Sequence, residues 1–542
     1  MDVNTVDILV IIAYFVVLLA VGFWKGRGQR DSSDKYFISK GLLPWWAIAA
    51  AFIATGMNTE QLIGANGMAY KVGLTMANWS TIVVLIYTPL IFVFYPIYRR
   101  NGVVTMPEYL GRRFDRRSEN VFAVLLLVSY ILLNLAVVFY GGAKLLEVVF
   151  GLNMWYGLLM LALVAGVYTM YGGMSSMIYT AVFQFLLIFA SGFVLFFLAL
   201  SKLPNGWQDV VDHAPGGFHL IQPMDFDSIP WHAIPLTIFG LHLFYSCINQ
   251  AVVQRGMGAR TEWDVRMALL VAGFFAVLRV FIEVFPGMMA RALAFSGYPE
   301  FKVGDDPSEL DRVFPILIRN LIPAGLQGLI VVGILASVMS TIAAYLNSIS
   351  TLLTFDVYKK WINKEATDKQ LIRVGTLATL ALMIFGVIYA PVIGKLGGIF
   401  PYFQEGATYI AVPIATVFLF GMFWWRATST AALAVILAGI PICLLINKLV
   451  LPVAFSQAVT DHYSLDNFLV QSGINQVVCS LLMVVVSLFT QPRALAEIAP
   501  LLWTKKCLFL PDDEPRRPLL QSAGFWWVLF VLFYVALYIV FW

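Results

Sequence analysis

A chain of 542 residues, 60% apolar and 15% aromatic but only 12% charged, with a mean hydropathy of +0.82, cannot clothe itself in polar side chains, which excludes a water-soluble globule. Its formal net charge of +4 is too small, and its basic residues too confined to short loops, to suit a nucleic-acid partner. Cys247, Cys443, Cys479 and Cys507 fall in or beside apolar runs with neither metal-ligand spacing nor an extracellular disulfide pattern, so no redox role is expected.

Apolar runs of about 20 residues predict an all-α polytopic membrane protein embedded in a lipid bilayer. Fourteen spans are predicted, near 6–24, 44–70, 74–98, 120–147, 153–170, 177–201, 232–253, 266–295, 325–355, 370–392, 398–423, 428–453, 466–490 and 524–542. The first run lacks a small-residue cleavage site and is followed by Lys25 and Arg27, so it reads as a retained helix. Alternate loops carry the basic residues: Lys25 to Lys40, then Arg99 to Arg117, Arg255 and Arg260, Lys359 to Lys369, and Arg493 to Lys506. The opposite loops hold acids such as Asp209, Asp212, Glu309 and Asp311. Lys and Arg face the cytoplasm, so both termini are expected outside a plasma membrane. The long loops 202–231 and 296–324 fall on that outer face and are expected to cap an entrance.

The second span is the unusual one, because its middle reads Thr55-Gly56-Met57-Asn58-Thr59-Glu60-Gln61. Polar side chains around a glycine at membrane depth are tolerated where unwound backbone lines a cavity and binds something, which points to transport. The seventh span carries a second interruption, with Gly240, His242, Tyr245, Ser246, Asn249 and Gln250. Counted from span two, five helices run to residue 201 and five from 232 to 423. Five is odd, so the halves would have opposite orientation, with a site where they meet. The expected division is a leading helix in 1–30, a transport core over 31–426 with repeats about 44–201 and 232–423, and three trailing helices in 427–542.

Several stretches carry a resemblance: Asp34-Lys35-Tyr36-Phe37, the run from Gly102 to Phe114 (GVVTMPEYLGRRF), Tyr171-Gly172-Gly173, Asn249-Gln250 with Gln254-Arg255, Leu346-Asn347-Ser348, and Asp356 with Tyr358. Together they resemble the sodium/solute symporter family, most closely its sodium/sugar cotransporter branch. The matches extend from about residue 34 to about 426, nearly the whole expected core. The resemblance implies a five-plus-five inverted-repeat core, Na+ as coupling ion with no other cofactor, and a small-molecule solute as partner.

By that resemblance, sodium would be held by the side chains of Ser340 and Thr341 and by backbone carbonyls of Ser337, Ala54 and Met57. Hydroxyl and carbonyl oxygens suit a small monovalent cation without carboxylates. The plainer alternative for such hydroxyls is a bond back to their own helix. The family's sugar-contacting positions fall on Gln61, Tyr245 and Gln404, whose amides and phenol both donate and accept, as hydroxyl-rich solutes require. Other positions depart from the sugar pattern. An acid on the third span is Ser80, a Lys on the eighth is Ala276, an Asn on the seventh is His242, another Asn is Gly56, and an acid after Thr180 is Ala181. Ser80, His242 and Arg279 are candidate substrate or gate contacts. Arg279 lies three residues beyond Ala276 and four before Glu283, so it is either half of a structural ion pair or the missing substrate cation. Glu60 either meets an ion or braces the unwound segment.

The reading is a secondary active symporter that moves sodium and a sugar or polyol by alternating access, with one sodium per solute. A monocarboxylate or amino-sugar carrier, and an uncoupled solute sensor or sodium leak channel, are the alternatives that Ser80, Ala276 and Ala181 leave open. An enzyme is not expected, since no His-Glu-x-x-His and no intramembrane Asp dyad is present.

Overall fold

A computed structural model describes residues 5–226, 229–304, 306–323, 326–393, 395, 399–515 and 517–542. Residues 1–4 of the leading segment and positions 227, 228, 305, 324 and 325 of the two outer loops lie outside them. The described residues are helical, with no strand and a single isolated bridge between Leu43 and Ala259. Among them, eleven helices are long and apolar enough to cross a membrane, or twelve when the pair Ala233–Ile248 and Gln250–Met257, bent by 46°, is taken as one.

In chain order the helices of the bundle, shorter apolar ones included, are α1 (Thr5–Gly26), α2 (Trp45–Gly56), α3 (60–72), α4 (78–100), α5 (Arg116–Phe150), α6 (154–172), α7 (174–202), α8 (Ala233–Ile248) and α9 (Gln250–Met257). They continue as α10 (Glu262–Phe295), α11 (Gln327–Ile362), α12 (Asp368–Ile393), α13 (Ile399–Phe423), α14 (Ser429–Ala454), α15 (Phe468–Phe489) and α16 (Ala523–Val540). Two glycines make turns within the gaps left between predicted spans. Gly73 takes φ 74 and separates α3 from α4. Gly173 takes φ 53 inside a 49-residue helical run, so α6 ends and α7 begins there, earlier than residue 177. A side chain at Gly173 would also meet the Tyr36 carbonyl, its Cβ only 2.2 Å from that oxygen.

The centre of the molecule is α11, buried along nearly its whole length and packed against α7, with α1 behind them. Asp7 of α1 accepts a hydrogen bond from the Gly328 N–H at 2.6 Å, satisfying one of the free amides at the start of α11. The leading helix is thus fastened to the helix that carries Ser340. The trailing helices α14 and α15 pack on α13. They bring Cys443 and Cys479, 36 residues apart in the chain, to a sulfur separation of 3.8 Å as free thiols, a pairing that sequence spacing concealed.

The outer loops fold over the core. Leu310 lies so close to Gly67 of α3 that a Cβ there would stand 2.4 Å from its carbonyl oxygen. Asp311 next to it is buried, and its carboxylate accepts the Ile399 N–H at the start of α13 at 2.9 Å. Burial pushes its pKa up from 3.8 to about 7, against the opposing pull of that N–H and of Lys144. The folded protein therefore binds this proton more tightly than the unfolded chain, and stability falls as pH rises from about 4 to about 7, then levels. Asp311→Asn, which mimics the neutral form, should gain on the parent by a few kcal/mol between pH 5 and pH 8 in detergent melting curves. Parallel pH profiles of the two proteins would show that Asp311 is not buried in this way.

Candidate functional site

α2 stops at Gly56 for local reasons. Glycine is a poor helix former, and Asn58 turns its side-chain oxygen to the Gln61 N–H at 3.0 Å, a bond that competes with the helical one. The chain leaves the helix at Met57 and rewinds from Glu60 with a wide π-type turn. On the facing side, Asn249 takes an extended conformation (φ −62°, ψ 115°) between α8 and α9, and its side chain caps α9 through the Ala251 N–H at 3.0 Å. Tyr130 of α5 fixes it by donating its hydroxyl at 2.6 Å. Both expected interruptions are present.

Ser340 and Thr341 of α11 face the first break. The Ser340 hydroxyl lies 3.2 Å from the Ala54 carbonyl and 2.9 Å from the Ser337 carbonyl, and the Thr341 hydroxyl is 3.1 Å from the same Ser337 oxygen. The Ser337 hydroxyl is buried without a partner. Four of the five expected sodium-site residues are thus joined in one bonded cluster spanning α2 and α11. Met57, the fifth, is fully buried at the end of α2, and no bond joins its carbonyl to the hydroxyls. This set holds neutral oxygens only. The Thr180 hydroxyl of α7 donates to the Ser176 and Met177 carbonyls of its own helix.

On the other side of the break, a cavity of about 160 Å³ is lined by Gln61, Ser80, His242, Tyr245, Arg279 and Gln404, among others. Glu60 is its organiser. The Glu60 carboxylate accepts the Nε2 groups of both Gln61, at 3.3 Å, and Gln404 of α13. A carboxylate accepts and does not donate, so both amides turn their Nε2 groups to it, and both Oε1 atoms are buried and unpartnered. The hydroxyl of Tyr245, that of Thr55 and both ring nitrogens of His242 are also buried without partners. Tyr245 stacks on Phe403 at 5.6 Å, and His242 leans on Trp79 at 4.4 Å.

Arg279 stands beside the cavity with its charge already matched. Its Nε donates to Glu283 Oε1 at 3.0 Å, Glu283 Oε2 accepts the Ser80 hydroxyl at 3.0 Å, and Arg279 Nη2 donates to the Gly56 carbonyl at 2.7 Å. Ser80 therefore braces an ion pair. A Cβ at Gly56 would lie 3.0 Å from Arg279 Nη1, so a side chain there would crowd the guanidinium where it is held. Sequence reasoning missed Trp79 as a lining residue, and left Glu60 between two roles. A carboxylate flanked by glutamine on a broken helix was the available signal. Among the described residues no group of His, Cys, Asp or Glu could hold a metal ion.

The sodium:solute symporter family profile matches residues 36–439. The sodium/glucose cotransporter of Vibrio parahaemolyticus is 32% identical over 83% of this chain and 86% of its own. The sodium/myo-inositol cotransporter 2 of Mus musculus is 29% identical over 92% of this chain and 79% of its own. A solved Na+-coupled sialic acid symporter in a substrate-bound outward-open state superposes with a TM-score of 0.75 over 91% of this chain and 99% of that one. At 22% identity this establishes likeness of fold.

Gly56→Ala should destabilise the parent, because the new methyl meets the guanidinium. In an Arg279→Met background it should be neutral or stabilising, since alanine favours the helix by about 0.5–1 kcal/mol. A double-mutant cycle on denaturation should return a coupling of about 1 kcal/mol or more. Strict additivity would mean that the two residues do not touch.

Proposed function

This chain belongs to the sodium:solute symporter family, and from that premise we propose that it couples one sodium ion to one uncharged polyhydroxylated solute, a sugar or polyol, by alternating access. It is a multi-pass membrane cotransporter and not an enzyme, and sodium is the coupling ion of its family. The observation that carries the solute class is the set of unpartnered buried atoms around the cavity, dominated by the two amide oxygens of Gln61 and Gln404. Those oxygens can only accept, so the solute must bring donors, and hydroxyl groups do so while also accepting from Tyr245 and His242. A simple carboxylate brings acceptors rather than donors, and both cations lining the cavity are engaged, Arg279 by Glu283 and Arg255 by the Ala51 carbonyl. An amino sugar satisfies the same acceptors and is the second reading.

The sodium site is the cluster of Ser340, Thr341 and the carbonyls of Ser337, Ala54 and Met57, with Ser340 bridging α11 to the broken helix. The stoichiometry of one rests on Arg279. The Gly56 carbonyl, the second open acceptor at the end of α2, is held by a tethered cation. The five-plus-five core over 31–426 is proposed with fourteen crossings. Trp45–Gly56 with 60–72 forms one broken crossing, 78–100 the next, and the short apolar helix at Met154 another, added to the long helices and the bent pair. Both termini are placed outside by the distribution of Lys and Arg.

One sodium ion crossing ~100 mV supplies about 2.3 kcal/mol, which supports roughly fifty-fold accumulation before the sodium gradient is counted. Sealed vesicles offered hexoses, polyols, amino sugars and monocarboxylates, with and without a sodium gradient, should concentrate a neutral polyhydroxylated solute only when sodium is present. Uptake that never exceeds equilibrium would instead support a sensor or leak. Ser340→Ala and Thr341→Ala should each raise the sodium concentration for half-maximal uptake about tenfold or more, with smaller change in solute KM. Glu60→Gln frees both amides to flip, and should raise solute KM about tenfold while leaving the sodium requirement nearly unchanged. An equal effect of Glu60→Gln on both would refute its role in orienting the amides.

A further inference from the structure

A second cavity lies far from the transport site, against the N-terminal end of α12. About 330 Å³ in volume, it is lined by Arg30, Lys369, Ile372, Arg373, Thr376 and Leu377. Three of those six residues are cations and none is an acid. Neither Lys369 nor Arg373 makes an ion pair among the described residues, and both are exposed. The nearby Asp368 carboxylate accepts the Ser33 hydroxyl at 2.7 Å. Arg30 is held in place: its Nη2 donates to the Met170 carbonyl, which also accepts the Tyr36 hydroxyl at 2.9 Å, and its guanidinium lies 5.9 Å from the Tyr171 ring centroid.

Below this charged mouth, α12 presents an apolar stripe away from the core. Leu377, Leu380, Ile384 and Ile388 are 57%, 44%, 56% and 63% exposed and fall at helical spacing on one face. From the first to the last, at 1.5 Å per residue, the stripe runs about 16 Å, close to the roughly 15 Å depth of one hydrocarbon leaflet. Three converging cations at the water boundary, continuous with an aliphatic surface one leaflet deep, match a molecule with an anionic head and fatty tails.

We propose that this cleft is a binding site for an anionic phospholipid. The head-group phosphate lies among Arg30, Lys369 and Arg373, and an acyl chain lies along Leu377 to Ile388. A bound lipid joins the loop after α1 to the start of α12 and the kink between α6 and α7. Given the distribution of basic loops, the site faces the inner leaflet, where anionic lipids attract such clusters.

The test is retention of phosphatidylglycerol against phosphatidylcholine by the full-length protein, read by native mass spectrometry after extraction from mixed vesicles. Arg30→Gln/Lys369→Gln/Arg373→Gln should lose retained phosphatidylglycerol by roughly ten- to a hundredfold, with phosphatidylcholine unchanged. Arg117→Gln/Lys364→Gln/Lys505→Gln removes the same charge from other exposed sites on that face and should retain the lipid like the parent. Millimolar inorganic phosphate should not displace it, because the chain contact is lost. The proposal is overturned if both triple variants lose lipid equally, which would mean general surface charge. It is also overturned if neither loses lipid, or if inorganic phosphate competes it away.

Discussion

The proposed ion and solute sites both depend on the carbonyls freed where α2 stops in the middle of the protein. A helix end concentrates partial negative charge on carbonyls that have no partner along the chain, and at membrane depth no water is at hand to satisfy them. Here the end is served from two sides. Ser340 lies on the Ala54 oxygen from α11, and Arg279 donates to the Gly56 oxygen from α10. The two acceptors are two residues apart in the chain. One neighbour is a neutral hydroxyl that an ion can replace or join, and the other is a fixed charge that no ion displaces cheaply. The broken helix is thereby given one exchangeable partner and one permanent partner, and a change at either is felt through the same short stretch of backbone.

The charges around the cavity follow from that division. Burying a lone guanidinium would be prohibitive, so Glu283 accompanies Arg279 and Ser80 satisfies the remaining carboxylate oxygen. Glu60 is relieved differently, by two amide donors, one from the next residue of its own helix and one from α13. Each acid is spoken for by protein groups, and the unpartnered atoms of Gln61, Gln404, Thr55 and Tyr245 are neutral. A pocket whose open valences are neutral and mostly accepting selects by hydrogen-bond count and direction rather than by net charge, which is how solutes that differ in one hydroxyl are told apart.

Much of this was legible in the chain because lipid makes polar residues conspicuous. Thr55 to Gln61 and His242 to Gln250 stood out against apolar surroundings, and both are interruptions in the structure. The hydroxyls of Ser340 and Thr341 could be paired with the first break only through family resemblance, since spacing within α11 says nothing about a partner 286 residues away. What stayed hidden was relational. The departures Gly56, Ala276 and Ser80 looked like lost sugar contacts one at a time. In space, Gly56 and Ser80 are accommodations to Arg279, the glycine making room and the serine completing its acid. The break at Gly173 falls between two predicted spans, and only the start of the following helix differs, because an apolar run does not record the residue at which the chain turns.

α10 has a structural role that explains why the break can be precise without being rigid. Near its start, Asp264 accepts the Trp45 N–H at 3.1 Å and so holds the first residue of α2. Further along, Arg279 holds Gly56 at the break. Beyond it, Asn66 of α3 donates to the Ile282 carbonyl at 3.0 Å and accepts the Gly287 N–H at 2.9 Å. Gly287 permits that approach, since a Cβ there would stand 2.0 Å from the Asn66 carbonyl oxygen. The same helix therefore runs alongside both halves of the broken one and bonds to each. A splint of this kind fixes where the halves lie on either side of residues 57–59, which have no helical continuity of their own. The free energy of binding an ion or solute can then go into reshaping a few residues instead of ordering a whole helix, which keeps the cost of each transport step small.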